Sequence, residues 1–233
     1  MKLCIVVPCY NEAKNIPLIL KRFDEVIDRD DISIVLVDNG STDNSSEILD
    51  ELLPKYSFAR KLTVENNIGY GFGIMSGLKS CGSDYLGWTH ADMQTDPMDV
   101  IKAFDVIESS QNPTNIYVKG DRKGRPLFDQ IFTIGMSIFE SIYLSTRLWD
   151  INAQPNVFHK SFFEKWKDKA PDDFSLDLFV LYQAKKSHQA IHRFNVVFPE
   201  RLHGVSSWND GFKSKWKFIQ RTISFSTKLK KEL

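Results

Sequence analysis

The segment from His90 to Gln94 carries side chains that could bind a metal ion. It follows an apolar run at residues 84–88 that is typical of a β-strand, and an Asp-Pro pair typical of a helix start comes soon after it. In open α/β sheets, ligands bind beyond the carboxyl ends of the strands. The oxygens of Asp92 and Gln94 would suit Mg²⁺ or Mn²⁺ carried in with a phosphate. Alternatively, His90 and Asp92 only end the strand and cap the helix.

Composition excludes several classes of protein. The chain has 233 residues, and 30 basic side chains balance 30 acidic ones, so no overall charge favours nucleic acid as a partner. The N-terminal apolar run is too short for a signal peptide. Charged residues interrupt the longest apolar stretch, 128–148, so no membrane span is predicted. Cys4, Cys9 and Cys81 are odd in number and lack metal-site spacing, which favours reduced thiols in the cytoplasm.

Strands and helices alternate along the chain, with a polar loop after each strand. This order predicts a mostly parallel sheet with helices on both faces. The predicted strands are 3–7, 32–37, 61–65, 84–88, 115–118 and 190–198.

The loops after the first three strands open helices with small or polar residues. Their backbone N–H groups and helix dipoles would face one crevice, which is the outline of a nucleotide site. The glycines at 69, 71 and 73 could also indicate a dinucleotide-binding loop. However, they follow the third strand rather than the first, and their spacing is wrong for that motif.

Four motifs in this order resemble those of family-2 glycosyltransferases with the GT-A fold, in the branch of dolichol-phosphate mannose synthase. They are Val6–Glu12, Val37–Ser45, Asn67–Gly71 and His90–Gln94. The resemblance extends over about residues 1–208. It implies a GT-A domain at 1–210, with a nucleotide-binding half (1–110) and an acceptor half (111–210). A tail at 211–233 follows.

The resemblance also implies the roles of individual residues. Tyr10 would pack on the base, Glu12 would accept hydrogen bonds from base or ribose, and Asp38 would accept from the ring N–H. Asp92 and Gln94 would coordinate a divalent metal, Mg²⁺ or Mn²⁺, that bridges the diphosphate of the sugar donor. The remaining predicted nucleotide-site residues are Pro8, Asn11, Val37, Gly71, Gly73, His90 and Ala91, with both glycines leaving room for the nucleotide.

The chain departs from the family pattern at two positions. His90 stands where an acidic residue is usual, and a neutral imidazole adds no charge to a metal site. Arg201 matches the first cation of the family's Arg-x-x-Gly-x-Ser-Lys element, but Ser207 replaces its lysine. One phosphate contact would then be lost, or made by Lys213 instead.

In the acceptor half, the resemblance makes Arg122 an anion clamp and Asp150 an organiser of the acceptor end. Four cations and two glycines at residues 119–125 predict a mobile loop that closes over an anionic substrate, or simply a solvated basic loop. A sugar hydroxyl as acceptor would need a general base, for which Asp150, Asp173 and Asp177 are candidates. A lipid phosphate would need none.

Two apolar helices complete the prediction. The helix after Pro126 has more apolar residues than a core needs, and an exposed side could line a lipid-facing groove. The tail at 211–233 has apolar residues on one half of a helical wheel and basic residues on most of the other. It could lie on an anionic membrane surface or pack on the domain.

The resemblance implies a metal-dependent, inverting transfer of a hexose from a nucleotide-diphosphate sugar to a polyprenyl phosphate. The enzyme would be cytoplasmic, with peripheral contact at the inner face of the membrane. The alternatives are transfer to a hydroxyl of a lipid-linked glycan, and a degenerate protein that holds a nucleotide sugar without turnover.

Overall fold

The computed structural model describes residues 1–199, Arg201, His203 and residues 212–231. Within the last range it gives only the backbone of residues 212–215, 217 and 218. Ser207 and the side chain of Lys213 therefore lie outside the described residues.

The described chain alternates strands and helices, as the sequence predicts. The strands are β1 (Leu3–Cys9), β2 (Ile32–Asn39), β3 (Ala59–Val64), β4 (Tyr85–Trp88), β5 (Ile116–Lys123), β6 (Asn156–His159) and β7 (Ala190–Val197). The α-helices are α1 (Ile16–Val26), α2 (Ser45–Leu52), α3 (Tyr70–Lys79), α4 (Pro97–Glu108), α5 (Leu127–Tyr143), α6 (Lys160–Phe163), α7 (Leu176–Lys186) and α8 (Phe212–Lys231).

The strands form one sheet in the order β3-β2-β1-β4-β6-β5-β7. All pairs are parallel except those of β6, which runs antiparallel to both β4 and β5. One apolar core packs α1 and α4 on one face of the sheet, and another packs α3, α6 and α7 on the other. The predicted mostly parallel sheet with helices on both faces is therefore confirmed.

Two parts of the acceptor half differ from the prediction. β6 was not predicted, because its four residues follow a polar stretch and lack a distinct pattern. Residues 119–123 continue β5 instead of forming a mobile loop, and they pair with β7 as far as Lys123 and Val197. Backbone hydrogen bonding to β7 thus holds Arg122 on a strand.

Cys4 on β1 and Cys81 after α3 form a disulfide, with their Cα atoms 6.1 Å apart. The prediction of three reduced thiols is wrong for this pair, which is 77 residues apart in sequence and gives no local signal. Cys9 is free and buried.

The tail forms helix α8, and the later turns of this helix pack on the domain. Ser226 and Leu229 are buried, Ser226 donates a hydrogen bond of 2.6 Å to Glu140 of α5, and the ring of Phe225 meets that of Phe179. In the part of the chain that the structure describes, no helix is long and apolar enough to cross a membrane.

Glu140 is expected to make stability depend on pH. Burial raises its pKa to about 7, although the hydrogen bond from Ser226 lowers it. The folded state therefore holds the Glu140 proton more tightly than the unfolded state does. The protonated Glu140 contributes fully to the free energy of unfolding at pH values below its pKa in the unfolded state. This contribution is lost as the pH rises toward 7, and the total loss is at most about 3 kcal/mol.

Glu140→Gln should therefore gain stability relative to the unsubstituted chain between about pH 5 and about pH 8. Urea denaturation at both pH values measures the difference. Glu164→Gln is the control, because Glu164 is exposed and its ion pair with Lys167 lies at the surface. An equal response of both variants to pH would contradict the assignment.

Candidate functional site

The loops after β1 and β2 are tied together at the carboxyl edge of the sheet. Cys9 lies beside Asp38 in the strand register. Asn11 has a positive φ of 57°, and its side-chain oxygen accepts hydrogen bonds from the backbone of Thr42 at 2.8 Å and Asp43 at 3.3 Å. Asn11 thus holds the two loops together, a structural role besides the predicted nucleotide contact.

The residues predicted to hold the base differ in exposure. Tyr10 is 45% exposed, so its ring is free to pack on a ligand, whereas Asp38 is buried and accepts from the backbone N–H of Ser41 at 3.1 Å. Val37 and Ala91 are buried in the two apolar cores. Only their backbone could therefore face a nucleotide.

Glu12 lies close enough to Asp92 for their charges to interact. Burial raises the pKa of Glu12, a hydrogen bond from Asn15 lowers it, and the charge of Asp92 raises it again, with a net upward shift. The loop after β1 and the loop after β4 therefore share one electrostatic environment.

Arg201 joins Asp92 and Gln94, the two predicted metal ligands. Its guanidinium lies 2.7 Å from a carboxylate oxygen of Asp92 and donates to the side-chain oxygen of Gln94 at 3.0 Å. The amide nitrogen of Gln94 donates to the backbone of Pro199. A cation from the predicted acceptor half is thus held against the acidic motif of the predicted nucleotide-binding half.

This donor set fits a metal that arrives with a substrate. No group of three or more His, Cys, Asp or Glu side chains among the described residues could hold a metal ion by itself. Asp92 and Gln94 supply one carboxylate and one amide oxygen. Mg²⁺ is often bound in this way, with substrate phosphates completing its shell. Arg201 would have to release both oxygens first.

His90 is partly buried beside the same motif, and its ring lies 6.4 Å from that of Tyr70. Burial lowers the pKa of His90, although the charges of Asp92 and Asp177 oppose the shift. The imidazole is therefore neutral near pH 7 and adds no charge beside Asp92.

His90→Asp is expected to tighten Mn²⁺ binding in the presence of a nucleoside diphosphate by about tenfold, because a second carboxylate adds negative charge to the site. Calorimetric titration with Mn²⁺ measures the change. His192→Asp, on an exposed residue of β7, is the control. Equal Mn²⁺ affinity in both variants would place His90 away from the metal.

Packing within the protein leaves no room for a side-chain carbon at Gly71 and Gly73. A Cβ at Gly71 would lie 2.4 Å from the backbone oxygen of Pro171, and one at Gly73 would lie 2.8 Å from the side chain of Asn39. Protein atoms fill the space that the sequence interpretation reserved for the nucleotide.

Arg122 and Asp150 form a buried ion pair at the end of β5. The carboxylate accepts from the backbone N–H of Arg122 at 2.8 Å and from its Nε at 2.9 Å, with a further short contact to Nη2. Burial would raise the pKa of Asp150, but the charge and hydrogen bonds of Arg122 lower it overall. Arg125 lies 3.9 Å from the same carboxylate.

A buried polar network behind the crevice was not predicted. The ammonium of Lys119 donates to the backbone of Ala153 at 2.6 Å and to Asn156 at 2.7 Å, and Gln154 donates to Asp177 at 2.9 Å. Burial lowers the pKa of Lys119 to about 7. The sequence indicated this network only through a lysine beside a predicted strand, and that lysine was interpreted as part of a basic loop.

The three predicted general-base candidates have different surroundings. Asp150 is paired with Arg122, and Asp177 is buried in the polar network. Asp173 lies 3.7 Å from Arg221 and accepts from the backbone of Ser175.

Solved structures share this fold. Glucosyl-3-phosphoglycerate synthase from Mycobacterium tuberculosis, in a complex described with Mn²⁺, UDP and glucosyl-3-phosphoglycerate, superposes with a TM-score of 0.72. It is 14% identical over 98% of this chain and 79% of its own. Another complex of that enzyme, with UDP-glucose and phosphoglyceric acid, gives a TM-score of 0.74 at 13% identity. The fold is the GT-A fold of glycosyltransferases, as predicted.

The family model described as glycosyl transferase family 2 matches residues 4–165. The chain therefore belongs to glycosyl transferase family 2. An undecaprenyl-phosphate 4-deoxy-4-formamido-L-arabinose transferase of Pseudomonas fluorescens is 34% identical in an alignment of 113 residues that covers 44% of this chain and only 33% of that protein. An uncharacterized protein of Methanocaldococcus jannaschii is 27% identical over 81% of this chain and 85% of its own length.

Proposed function

We propose that this chain transfers a hexose from a nucleotide-diphosphate sugar to a polyprenyl phosphate, with inversion and with Mg²⁺ or Mn²⁺ held by Asp92 and Gln94. The contact of Arg201 with both of these side chains carries the proposal. It places a cation from the acceptor half, an acidic group and an amide oxygen together at the carboxyl edge of the sheet.

The donor would lie across the loops after β1, β2 and β4. Tyr10 would pack on the base, and Glu12 and Asp38 would accept hydrogen bonds from base or ribose. The bound metal would neutralise the leaving diphosphate, and Arg201, once released from Asp92, would supply a further positive charge to it.

The surroundings of the three candidate bases favour a phosphate acceptor. Asp150 is neutralised by Arg122, Asp177 is buried in hydrogen bonds, and Asp173 faces Arg221. A sugar hydroxyl would need one of them to accept its proton. A lipid phosphate is already an anionic nucleophile, and Arg122 and Arg125 would form a cationic binding site for it.

The partly matched relative from Pseudomonas fluorescens is named for transfer to undecaprenyl phosphate, which supports the same acceptor class. Such an acceptor resides in a membrane. The chain would therefore work at the cytoplasmic surface of the cell membrane, in peripheral contact with it.

A protein that binds a nucleotide sugar without turnover is the second candidate. One observation favours this second candidate, since Arg201 contacts both proposed metal ligands, Asp92 and Gln94. Calorimetric titration of GDP-mannose, UDP-glucose and UDP-N-acetylglucosamine, with Mn²⁺ and with EDTA, separates the two. Binding of one donor that requires Mn²⁺ would support the enzyme. Equal binding of a donor with Mn²⁺ and with EDTA would favour the second candidate.

A further inference from the structure

Helix α5 is turned so that its apolar side faces outward. Ser137 and Glu140 are buried against the protein, and neither the Ser137 hydroxyl nor one Glu140 oxygen has a hydrogen-bond partner among the described residues. None of the exposed residues of α5 carries a charge. The outward apolar stripe consists of Leu127 (73% exposed), Ile131 (59%), Ile134 (40%), Ile138 (54%) and Ile142 (75%).

The stripe is continuous along the helix. Its members are three or four residues apart, so they share one face. At a rise of 1.5 Å per residue, the stripe is about 22 Å long. A helix that faces water normally has the reverse arrangement, and an exposed apolar surface of this kind marks an interaction site.

Charge around the stripe indicates which partner would cover it. Near the end of α5, the ammonium of Lys230 lies 4.5 Å from the ring centre of Tyr143, and Lys228 and Lys231 on the same turns of α8 are exposed. An apolar helix face with lysines near one end is suited to binding at the interface of a bilayer that contains anionic lipids.

The position of α5 relative to the site points the same way. Its first residue, Leu127, follows the end of β5 closely, where Arg122 and Arg125 surround Asp150. A bilayer against α5 would therefore present its phosphate groups beside this cationic cluster.

We propose that α5 lies on the surface of an anionic bilayer and holds the acceptor end of the crevice there. This rests on the proposed function for the identity of the acceptor, but the contact with lipid is a separate property. The sequence interpretation placed membrane contact on the tail and a possible lipid-facing groove on the helix after Pro126. The structure gives α5 an exposed apolar face, and α8 contributes exposed lysines near one end of it.

The test is sedimentation of the full chain with vesicles of phosphatidylglycerol and phosphatidylcholine, and with vesicles of phosphatidylcholine alone. The double variant Ile131→Asp/Ile138→Asp should bind the anionic vesicles at least about tenfold more weakly, because each substitution removes an isoleucine from an apolar environment. Ile68→Asp, equally exposed at 59% but far from α5 in sequence, should bind as the unsubstituted chain does.

Thermal unfolding of each variant shows whether the fold is retained. Because the substituted side chains are exposed, the double variant should unfold within a few degrees of the unsubstituted chain. Lys228→Glu/Lys231→Glu should weaken binding only to the anionic vesicles, and it provides a second measurement if the first variant fails to fold.

Equal vesicle binding by all variants would overturn the proposal. A dimer would also overturn it. If sedimentation velocity without vesicles showed a dimer of the unsubstituted chain but a monomer of the isoleucine variant, a second copy would be what covers α5. Failure of the proposed function would look different: no variant would transfer sugar to a short polyprenyl phosphate in detergent, while vesicle binding would still depend on the isoleucines.

Discussion

Asp92→Ala is expected to abolish Mn²⁺-dependent binding of the sugar donor and to lower turnover at least about 100-fold. Asp92 supplies the only carboxylate of the proposed metal site, because Gln94 contributes a neutral amide oxygen. Loss of a main electrostatic contribution to a transition state typically costs this much. Calorimetry with Mn²⁺ and a kinetic assay measure the two effects.

Binding in EDTA provides the sharper part of this prediction. Asp92→Ala frees Arg201 from its 2.7 Å ion pair, so a nucleoside diphosphate should bind at least as well without metal as it does to the unsubstituted chain. Asp84→Asn, at the opposite end of the same strand, is the control and should change neither measurement. Undiminished Mn²⁺-dependent binding in Asp92→Ala would show that the metal is held elsewhere.

Asp150→Asn is expected to destabilise the fold by about 3 kcal/mol, because it leaves the guanidinium of Arg122 buried without its counter-charge. Asp150 has a positive φ of 36°, and asparagine tolerates that conformation better than alanine does. The Arg122 side chain is only 10% exposed, so water cannot replace the lost carboxylate. Urea denaturation near pH 7 measures the change in the free energy of unfolding.

The double variant Arg122→Met/Asp150→Asn should recover part of this loss, since the guanidinium nearest to the carboxylate is removed with it and only Arg125, 3.9 Å away, loses a counter-charge. The control is Asp121→Asn, which breaks the more exposed pair with Lys123 at a cost below about 1 kcal/mol. If Asp150→Asn lowered the free energy of unfolding by as little as Asp121→Asn does, water would be able to reach the Arg122–Asp150 pair. Arg122 would then be available to a phosphate without breaking a strong contact.

The fold of residues 1–110 could be predicted well from sequence because its signals are local. Buried strands read as short apolar runs, and the loops after them carry the motifs that identify the family. β6 was missed for the opposite reason, since its antiparallel position between β4 and β5 depends on contacts distant in sequence.

The contacts among the predicted site residues could not be derived from the sequence. Asp92, Gln94 and Arg201 do come together, yet no pattern shows that Arg201 would hold both oxygens. Arg122 and Asp150 were assigned separate roles, and their pairing follows from strand β5 and a turn 28 residues later. The fit of Gly71 against the backbone of Pro171 depends on a loop 100 residues away, which local sequence cannot reveal.

The most direct test of the proposed function is a mass-spectrometric assay for glycosylated polyprenyl phosphate. The full chain would be incubated with Mn²⁺, undecaprenyl phosphate in detergent, and the donor selected by calorimetry, with Asp92→Ala alongside. We expect a product heavier than the acceptor by one sugar residue, formed only by the unsubstituted chain. Binding of the donor without any such product, for every donor that binds, would contradict the proposed transfer to a lipid phosphate.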